Sequence, residues 1–223
     1  MSNQAPAETP STKDRILEAA VELFGEKGFH GTSMRDVARK VGIKESSLYN
    51  HYEGKDGLLA AILDYHRQAF AASIPSDATM KALISSHNDA VELWMAAARI
   101  LIGNIPPLLA AITRVLRNEM FLDARCRRFV LDSMFASQKE ITRHLLGDMM
   151  ERGLIRPCNL DIVVDQYVYF MQGMDMEQTL LLQEGADPQV LMDRMLELVA
   201  AYIADLAAPP GCHFPVDPQA AAN

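Results

Sequence analysis

Apolar residues recur every three or four positions along most of the chain, which is the spacing that gives a helix one buried face. The first such segment, residues 12–27, follows a Ser11 or Thr12 cap and ends at Gly28. No alternating run rich in Val, Ile and Thr marks a strand. The pattern therefore predicts an all-α protein with about nine helices.

Capping residues, glycines and prolines set the limits of the other predicted helices. Ser33 followed by Asp36 has the form of a capping box, Gly42 and Gly153 each follow a periodic segment, and Pro107 suits a helix start. These helices cover about 34–41, 45–51, 56–73, 79–102, 107–118, 122–152, 160–183 and 188–206. The pattern changes character near 73–77, which is the predicted domain boundary.

The composition, 49% hydrophobic and 22% charged, is that of a globular protein with a real core. No long uncharged apolar run predicts a membrane span, and the amino-terminal segment has no signal-peptide pattern. Three cysteines without a CxxC spacing suit a reducing compartment, so we expect a cytoplasmic protein. Residues 1–11 and 208–223 are rich in Ala, Pro and small polar residues and are predicted to be flexible tails.

The net charge of −8 does not by itself favour a nucleic-acid partner. Between residues 27 and 55, however, six basic side chains are set against three acidic ones. This local basic surplus lies where a phosphate backbone could use it. Alone it is weak evidence, because such imbalances are common on solvated helix faces.

Residues 32–52 have the form of a helix-turn-helix. A helix with Val37 and Ala38 facing inward is followed by Gly42, and a short helix with Leu48 facing inward comes next. A small residue at Ala38 lets two helices cross closely, and Gly42 tolerates the positive φ of a sharp reversal. Such a motif inserts the start of its second helix into the major groove of DNA.

The motif predicts two sets of DNA contacts. Side chains that can donate to guanine or accept from cytosine are candidates for reading bases: Lys44, Glu45, Ser46 and Ser47. Nearby hydroxyl, imidazole and ammonium groups are candidates for phosphate contacts: Thr32, Ser33, Tyr49, His51, Tyr52 and Lys55. Structural roles are the alternative for Tyr49, His51 and Lys55, and an ordinary surface charge is the alternative for Glu45.

This segment resembles the amino-terminal domain of TetR-family regulators. The shared positions are Ile16, Ala19, Phe24, Gly28, Thr32, Asp36, Val37, Ala38, Gly42, Ile43, Leu48, Tyr49, His51, Tyr52, Lys55 and Leu58. The resemblance implies a DNA-binding domain at 12–55 and a helical ligand-binding and dimerisation domain at 56–207, whose first helix, 56–73, connects the two. Glu45 departs from the usual basic or small residue, and beyond about residue 70 the resemblance is architectural only.

Methionine and aromatic residues are abundant in the carboxy-terminal part, and flexible thioethers suit a pocket for varied apolar ligands. The predicted lining is Trp94, Met95, Met120, Phe121, Phe135, Tyr167, Phe170, Met171 and Met174. For any one of these residues, a place in an ordinary core is the alternative. Asp175 lies in the same apolar run and, if buried, would need a partner or a cationic ligand. We therefore expect a small, largely apolar or aromatic effector, with no cofactor and no metal.

The resemblance also implies a homodimer through about 160–183 and 188–206, where apolar residues occupy more than one helix face. A two-fold dimer presents two reading helices about 34–36 Å apart and so predicts a palindromic operator in double-stranded DNA. The function implied is a ligand-responsive transcriptional repressor, and an activator of the same fold is the alternative.

Other classes of protein have less support. The motifs GxSxG, GxGxxG, HExxH and the P-loop are absent, and the six histidines lack metal-ligand spacing, so no enzyme is predicted. A helical partner-binding protein that has lost DNA binding is the remaining alternative, and Glu45 is the residue that favours it. A gel-shift assay against genomic fragments distinguishes such a partner-binding protein from a DNA-binding regulator.

Overall fold

The computed structural model describes residues 11–207, which fold into helices joined by short turns. The helices are α1 (Thr12–Gly31), α2 (Met34–Val41), α3 (Glu45–Tyr49), α4 (Gly54–Ser73), α5 (Asp77–Ser86), α6 (Ala90–Gly103), α7 (Pro107–Glu119), α8 (Ala124–Phe129), α9 (Ala136–Glu151), α10 (Leu160–Gln183) and α11 (Pro188–Leu206). A π-helical segment, Val130–Phe135, joins α8 to α9. The described residues form no β-strand, and the all-α prediction is confirmed. Apart from Ser11, the predicted tails lie outside the described residues.

Two of the predicted helices are divided in the structure, so their predicted limits are wrong. The predicted helix 79–102 is two helices, because the Asp89 side chain accepts a hydrogen bond from the Glu92 amide and starts α6 anew. The predicted helix 122–152 is interrupted by the π-helical segment between α8 and α9. A polar residue inside a periodic segment can cap a new helix, and the spacing of apolar positions does not register it.

The described chain packs as two compact units. The first contains the residues up to Ile74 together with Ile105–Ser133, and the second contains Pro75–Asn104 together with the residues from Met134 onward. The helix-turn-helix segment therefore shares its unit with α4, α7 and α8. The functional division into 12–55 and 56–207 is a separate claim, and it stays a prediction.

The first unit is built around α1, which packs against α2, α4 and α7. Its most deeply buried side chains include Ile16, Leu48, Leu58, Ile62, Ile112 and Leu116. His66 of α4 is also buried, with its Nε2 3.2 Å from the Thr113 hydroxyl and its ring edge-on to Phe129. Burial, together with the neighbouring Arg117 and Arg67, lowers the pKa of His66 to about 4, so this imidazole is neutral near pH 7.

The end of α1 is bent at Gly28, whose backbone has φ 74° and ψ 164°. The Phe29 amide, which follows the bend, donates a hydrogen bond of 2.8 Å to Glu119 Oε1 of α7. The Glu119 carboxylate is buried. A buried amide without an acceptor is costly, so Glu119 stabilises the corner between α1 and α2. The partner lies ninety positions away in the sequence.

The second unit has its own core, made by α6, α9, α10 and α11. The buried residues at its centre include Leu93, Trp94, Leu146, Met149, Val164 and Ile203. An isolated antiparallel bridge between Ile155 and Ala207 joins the turn after α9 to the end of α11. The end of the last helix is therefore held against the turn that follows α9.

Among the described residues no single helix is long and apolar enough to cross a membrane, although α6 and α7 meet those criteria of length and composition when joined.

Candidate nucleic-acid interface

The first helix of the helix-turn-helix, α2, begins at a complete capping box. The Ser33 hydroxyl accepts the Asp36 amide, and the Asp36 carboxylate accepts the Ser33 amide and hydroxyl. These hydrogen bonds from Ser33 lower the pKa of Asp36. The predicted capping box is present, and it fixes the start of α2. The Ser33 hydroxyl is thereby engaged with Asp36, although Ser33 itself is exposed.

The turn between α2 and α3 is made by Gly42, which has φ 78° and ψ 32°. Both Gly42 and Ile43 donate their amides to the Ala38 carbonyl, which closes the end of α2. Ala38 and Leu48 are buried on the inner side, as the sequence predicted for this motif. The turn therefore presents the first residues of α3 to the outside in a fixed orientation.

The predicted base-reading residues lie together at the start of α3. Lys44 and Ser46 are exposed, whereas Glu45 and Ser47 are half-buried. Tyr49 ends the helix with 53% of its surface exposed, and His51 follows it, also exposed. These side chains are accessible to a groove or a phosphate, and their roles toward DNA stay a prediction.

Two of the predicted phosphate contacts point inward. The Thr32 hydroxyl donates to the Leu23 and Gly28 carbonyls, and the residue is 2% exposed. The Tyr52 hydroxyl donates to the Lys13 carbonyl, and burial raises the pKa of Tyr52 to about 12. Both hydroxyls are engaged inside the unit and help to hold the domain together, and a role of these two residues toward phosphates stays a prediction.

Lys55 also has protein partners. Its ammonium donates to the Phe29 carbonyl at 2.8 Å and the Thr32 carbonyl at 3.0 Å, and lies 4.4 Å from the centre of the Phe29 ring. Arg125 of α8 stacks on the same ring at 5.1 Å. These contacts fix the Phe29 ring, and the Lys55 ammonium helps to stabilise the corner between α1 and α2.

Replacing Lys55 with methionine should lower the free energy of unfolding by about 2 kcal/mol, because two main-chain carbonyls lose a charged donor. Urea denaturation measures this change. Lys27→Met is the matched control, since Lys27 is exposed and has no ion pair in the described part of the chain. If Lys55 contacted a phosphate instead, its replacement would leave stability unchanged and reduce the salt slope of DNA binding by about one.

Ion pairs take up part of the local basic surplus. The pairs are Lys40 with Glu22, Arg39 with Asp36, and Arg35 with Glu45. The bond to Glu22 raises the pKa of Lys40. Lys44 has no such pair among residues 11–207, so it is the free cation at the start of α3.

The structure brings most of the predicted pocket residues into the core of the second unit. Trp94 donates its Nε1 hydrogen to the Tyr167 hydroxyl at 3.2 Å, and their rings meet edge-on. The residues that lie in or against the same core are Met95, Phe170, Met171 and Met174. Phe135 contacts Tyr169 instead, at 6.5 Å between ring centres.

The other two predicted pocket residues, Met120 and Phe121, belong to the first unit. Phe121 is 77% exposed, so this conformation does not place it in a pocket wall. Tyr202 of α11 was not predicted, although its ring stacks on Phe170 and contacts Tyr167, both at 5.6 Å. The signal in the sequence that could have identified Tyr202 was its place as an aromatic residue among the apolar positions of the last helix.

Residues 16–62 match the model of a family described as bacterial regulatory proteins, tetR family. This stretch contains the bent α1, the capped α2, the Gly42 turn and the exposed α3. Residues 16–62 therefore form an amino-terminal domain of the TetR-family type. The recognition made from the sequence is confirmed, and so is the predicted helix-turn-helix domain of that family.

Similar proteins support the TetR-family assignment. The HTH-type transcriptional repressor KstR2 of Rhodococcus jostii is 30% identical over 117 residues, which are 47% of this chain and 57% of KstR2. The probable HTH-type transcriptional regulator YttP of Bacillus subtilis is 27% identical over 138 residues, 62% of this chain and 64% of YttP. The chain thus matches less than two thirds of the length of either relative.

The fold extends beyond the matched domain. The solved structure of a TetR-family regulator from Mesorhizobium loti is 20% identical, covers 88% of this chain and 97% of its own, and has a TM-score of 0.63. At this identity the similarity shows the fold alone. The similarity includes residues of both units.

Proposed function

We propose that this TetR-family regulator is a cytoplasmic, ligand-responsive repressor that binds a palindromic operator as a homodimer. The observation that carries the proposal is the start of α3, where Lys44 and Ser46 are exposed behind a turn fixed by Gly42. A short helix held in this way can enter the major groove end-on. KstR2 of Rhodococcus jostii, which is similar over part of its length, is itself a transcriptional repressor.

The homodimer is supported by an apolar surface on the last two helices. Large apolar side chains of α10 and α11 are exposed in the single chain: Ile162, Tyr169, Met176, Leu180, Leu181, Leu182 and Val190. Monomeric soluble proteins rarely expose so many apolar groups on neighbouring elements. A second copy that covers 160–183 and 188–206 would remove them from water and place two reading helices on one face of the DNA.

A largely apolar effector is supported by the chemistry of the second unit. Trp94, Tyr167, Phe170 and Tyr202 form one connected aromatic group, with methionines packed against it. Aromatic faces and flexible thioethers bind apolar ligands well and adapt to their shape. An apolar ligand that enters beside this group would change the packing of α6, α10 and α11.

The proposed release of DNA follows from linkage. A ligand shifts a conformational equilibrium only if it binds the two conformations with different affinity. The effector must therefore favour a conformation in which the two reading helices no longer match successive major grooves. α4 packs with α1 and α7 in the unit that carries the helix-turn-helix, and it is the helix proposed to transmit the change.

The proposal is tested by selecting operator sequences from genomic fragments and measuring affinity for the selected site. Lys44→Ala should weaken binding by about tenfold, because a base contact of this kind contributes about 1–3 kcal/mol. Lys81→Ala is the matched control, since Lys81 is an exposed lysine of α5 in the second unit. Light scattering should show a dimer, and transcription from a promoter that contains the site should fall.

Three results would contradict the proposal. A strictly monomeric protein would contradict the dimer, and a lack of sequence preference in the selection would contradict the operator. Increased transcription from the selected site would make the protein an activator.

A further inference from the structure

We propose that Arg35 is a specificity-determining residue of the DNA-binding surface and that Glu45 is the residue that positions it. The inference rests on the proposed function and adds to it a side chain from the first helix of the motif. Arg35 is the second residue of α2, and Glu45 is the first residue of α3. The two side chains meet across the turn, with Arg35 Nε 3.3 Å from Glu45 Oε2.

The geometry leaves the end of the guanidinium available. Arg35 bonds Glu45 through Nε, and the described residues offer no other hydrogen-bond partner to its terminal nitrogens. Its side chain is 79% exposed, whereas the Glu45 side chain is 39% exposed. The carboxylate is thus the more enclosed partner, and the guanidinium is the group that projects. Two parallel N–H groups at its end match the O6 and N7 acceptors of guanine.

Stability does not account for this pair. Exposed ion pairs contribute little to folding, and the charged neighbours of Arg35 already have structural partners. Arg39 pairs with Asp36 inside α2, and Asp36 completes the capping box with Ser33. The Arg35–Glu45 pair joins only the first turns of α2 and α3, the two places where side chains of this motif approach DNA.

The pair also explains why a carboxylate is present on a surface that faces phosphates. An unpaired Glu45 would repel the DNA backbone, whereas a Glu45 that holds Arg35 is neutralised by it. A carboxylate that accepts from Nε fixes the plane of the guanidinium. Bidentate recognition of one base requires such a fixed plane. Arg35 and Glu45 therefore act as one unit, in which Glu45 orients and Arg35 reads.

The test is selection of binding sites from a randomised DNA library with the full-length wild type, Arg35→Lys, Glu45→Gln and the double variant. Arg35→Lys keeps the charge and Glu45→Gln keeps the size, so folding changes little. Glu45→Gln removes one negative charge and raises the affinity for all sequences alike, which leaves the selected preference unaffected. We expect both single variants to lose preference for guanine at the same operator position by at least fivefold. The double variant should lose no more than Arg35→Lys alone, and Arg39→Lys should select the wild-type sequence.

Other outcomes overturn the inference. If Arg35→Lys, and Arg35→Ala with it, keep the wild-type preference at every position, Arg35 does not read a base, because alanine offers guanine no donor. If Glu45→Gln changes the preference at a different position, Glu45 reads a base by itself and the two residues are not a unit. A wild-type protein that selects no sequence would instead refute the proposed function, and the inference with it.

Discussion

Gly28→Ala should lower the free energy of unfolding by about 3 kcal/mol, one of the largest effects expected from a single methyl group in this chain. Gly28 has φ 74° and ψ 164°, a backbone region that side chains other than glycine rarely adopt. A Cβ there would lie 3.0 Å from Glu119 Oε1, the atom that receives the Phe29 amide. The new methyl group therefore strains the backbone and displaces the buried carboxylate that stabilises the corner.

Gly25→Ala is the matched control for this substitution. Gly25 lies in the same helix without a positive φ, and its added Cβ would be in ordinary contact with Val115 at 3.7 Å. Alanine is the better helix former, so this variant should be more stable than the wild type by about 0.5–1 kcal/mol. Thermal or urea unfolding compares the two variants directly. Equal stabilities would mean that Glu119 adapts to the methyl group and that the bend is not constrained.

The local parts of the helix-turn-helix could be predicted from the sequence, because each rests on neighbouring residues. The capping box of Ser33 and Asp36 spans three positions, and the reversal at Gly42 needs only that glycine and Ala38 behind it. The same holds for the inward face of α1. These features follow from hydrogen-bonding and steric rules that act within one turn of helix.

The features that were missed depend on partners distant in the sequence or on polar residues hidden in a periodic run. Lys55 stays a predicted phosphate contact, but the carbonyls of Phe29 and Thr32 that accept from its ammonium were not predicted. Asp89 starts a new helix inside a segment that apolar spacing presents as continuous. Spacing reports which face of a helix is buried, and it does not report which polar group on another element will meet it.

The spacing of apolar residues did not decide whether Trp94 lines a pocket or packs in the core of the second unit. Its side chain is buried among Leu93, Met149 and Tyr167, and its Nε1 hydrogen is bonded to the Tyr167 hydroxyl. Burial raises the pKa of Tyr167 to about 12, so the hydroxyl stays protonated near neutral pH. These contacts are those of a core residue.

Trp94→Ala should therefore lower the free energy of unfolding by about 3–5 kcal/mol, the cost of removing a large aromatic group from a packed core. Circular dichroism during urea denaturation measures the change, because Trp94 is the only tryptophan and its fluorescence is lost. Phe121→Ala is the matched control, since this aromatic side chain is 77% exposed and lies outside the proposed dimer surface. A loss below about 1 kcal/mol for Trp94→Ala would place the indole on the wall of an open cavity instead.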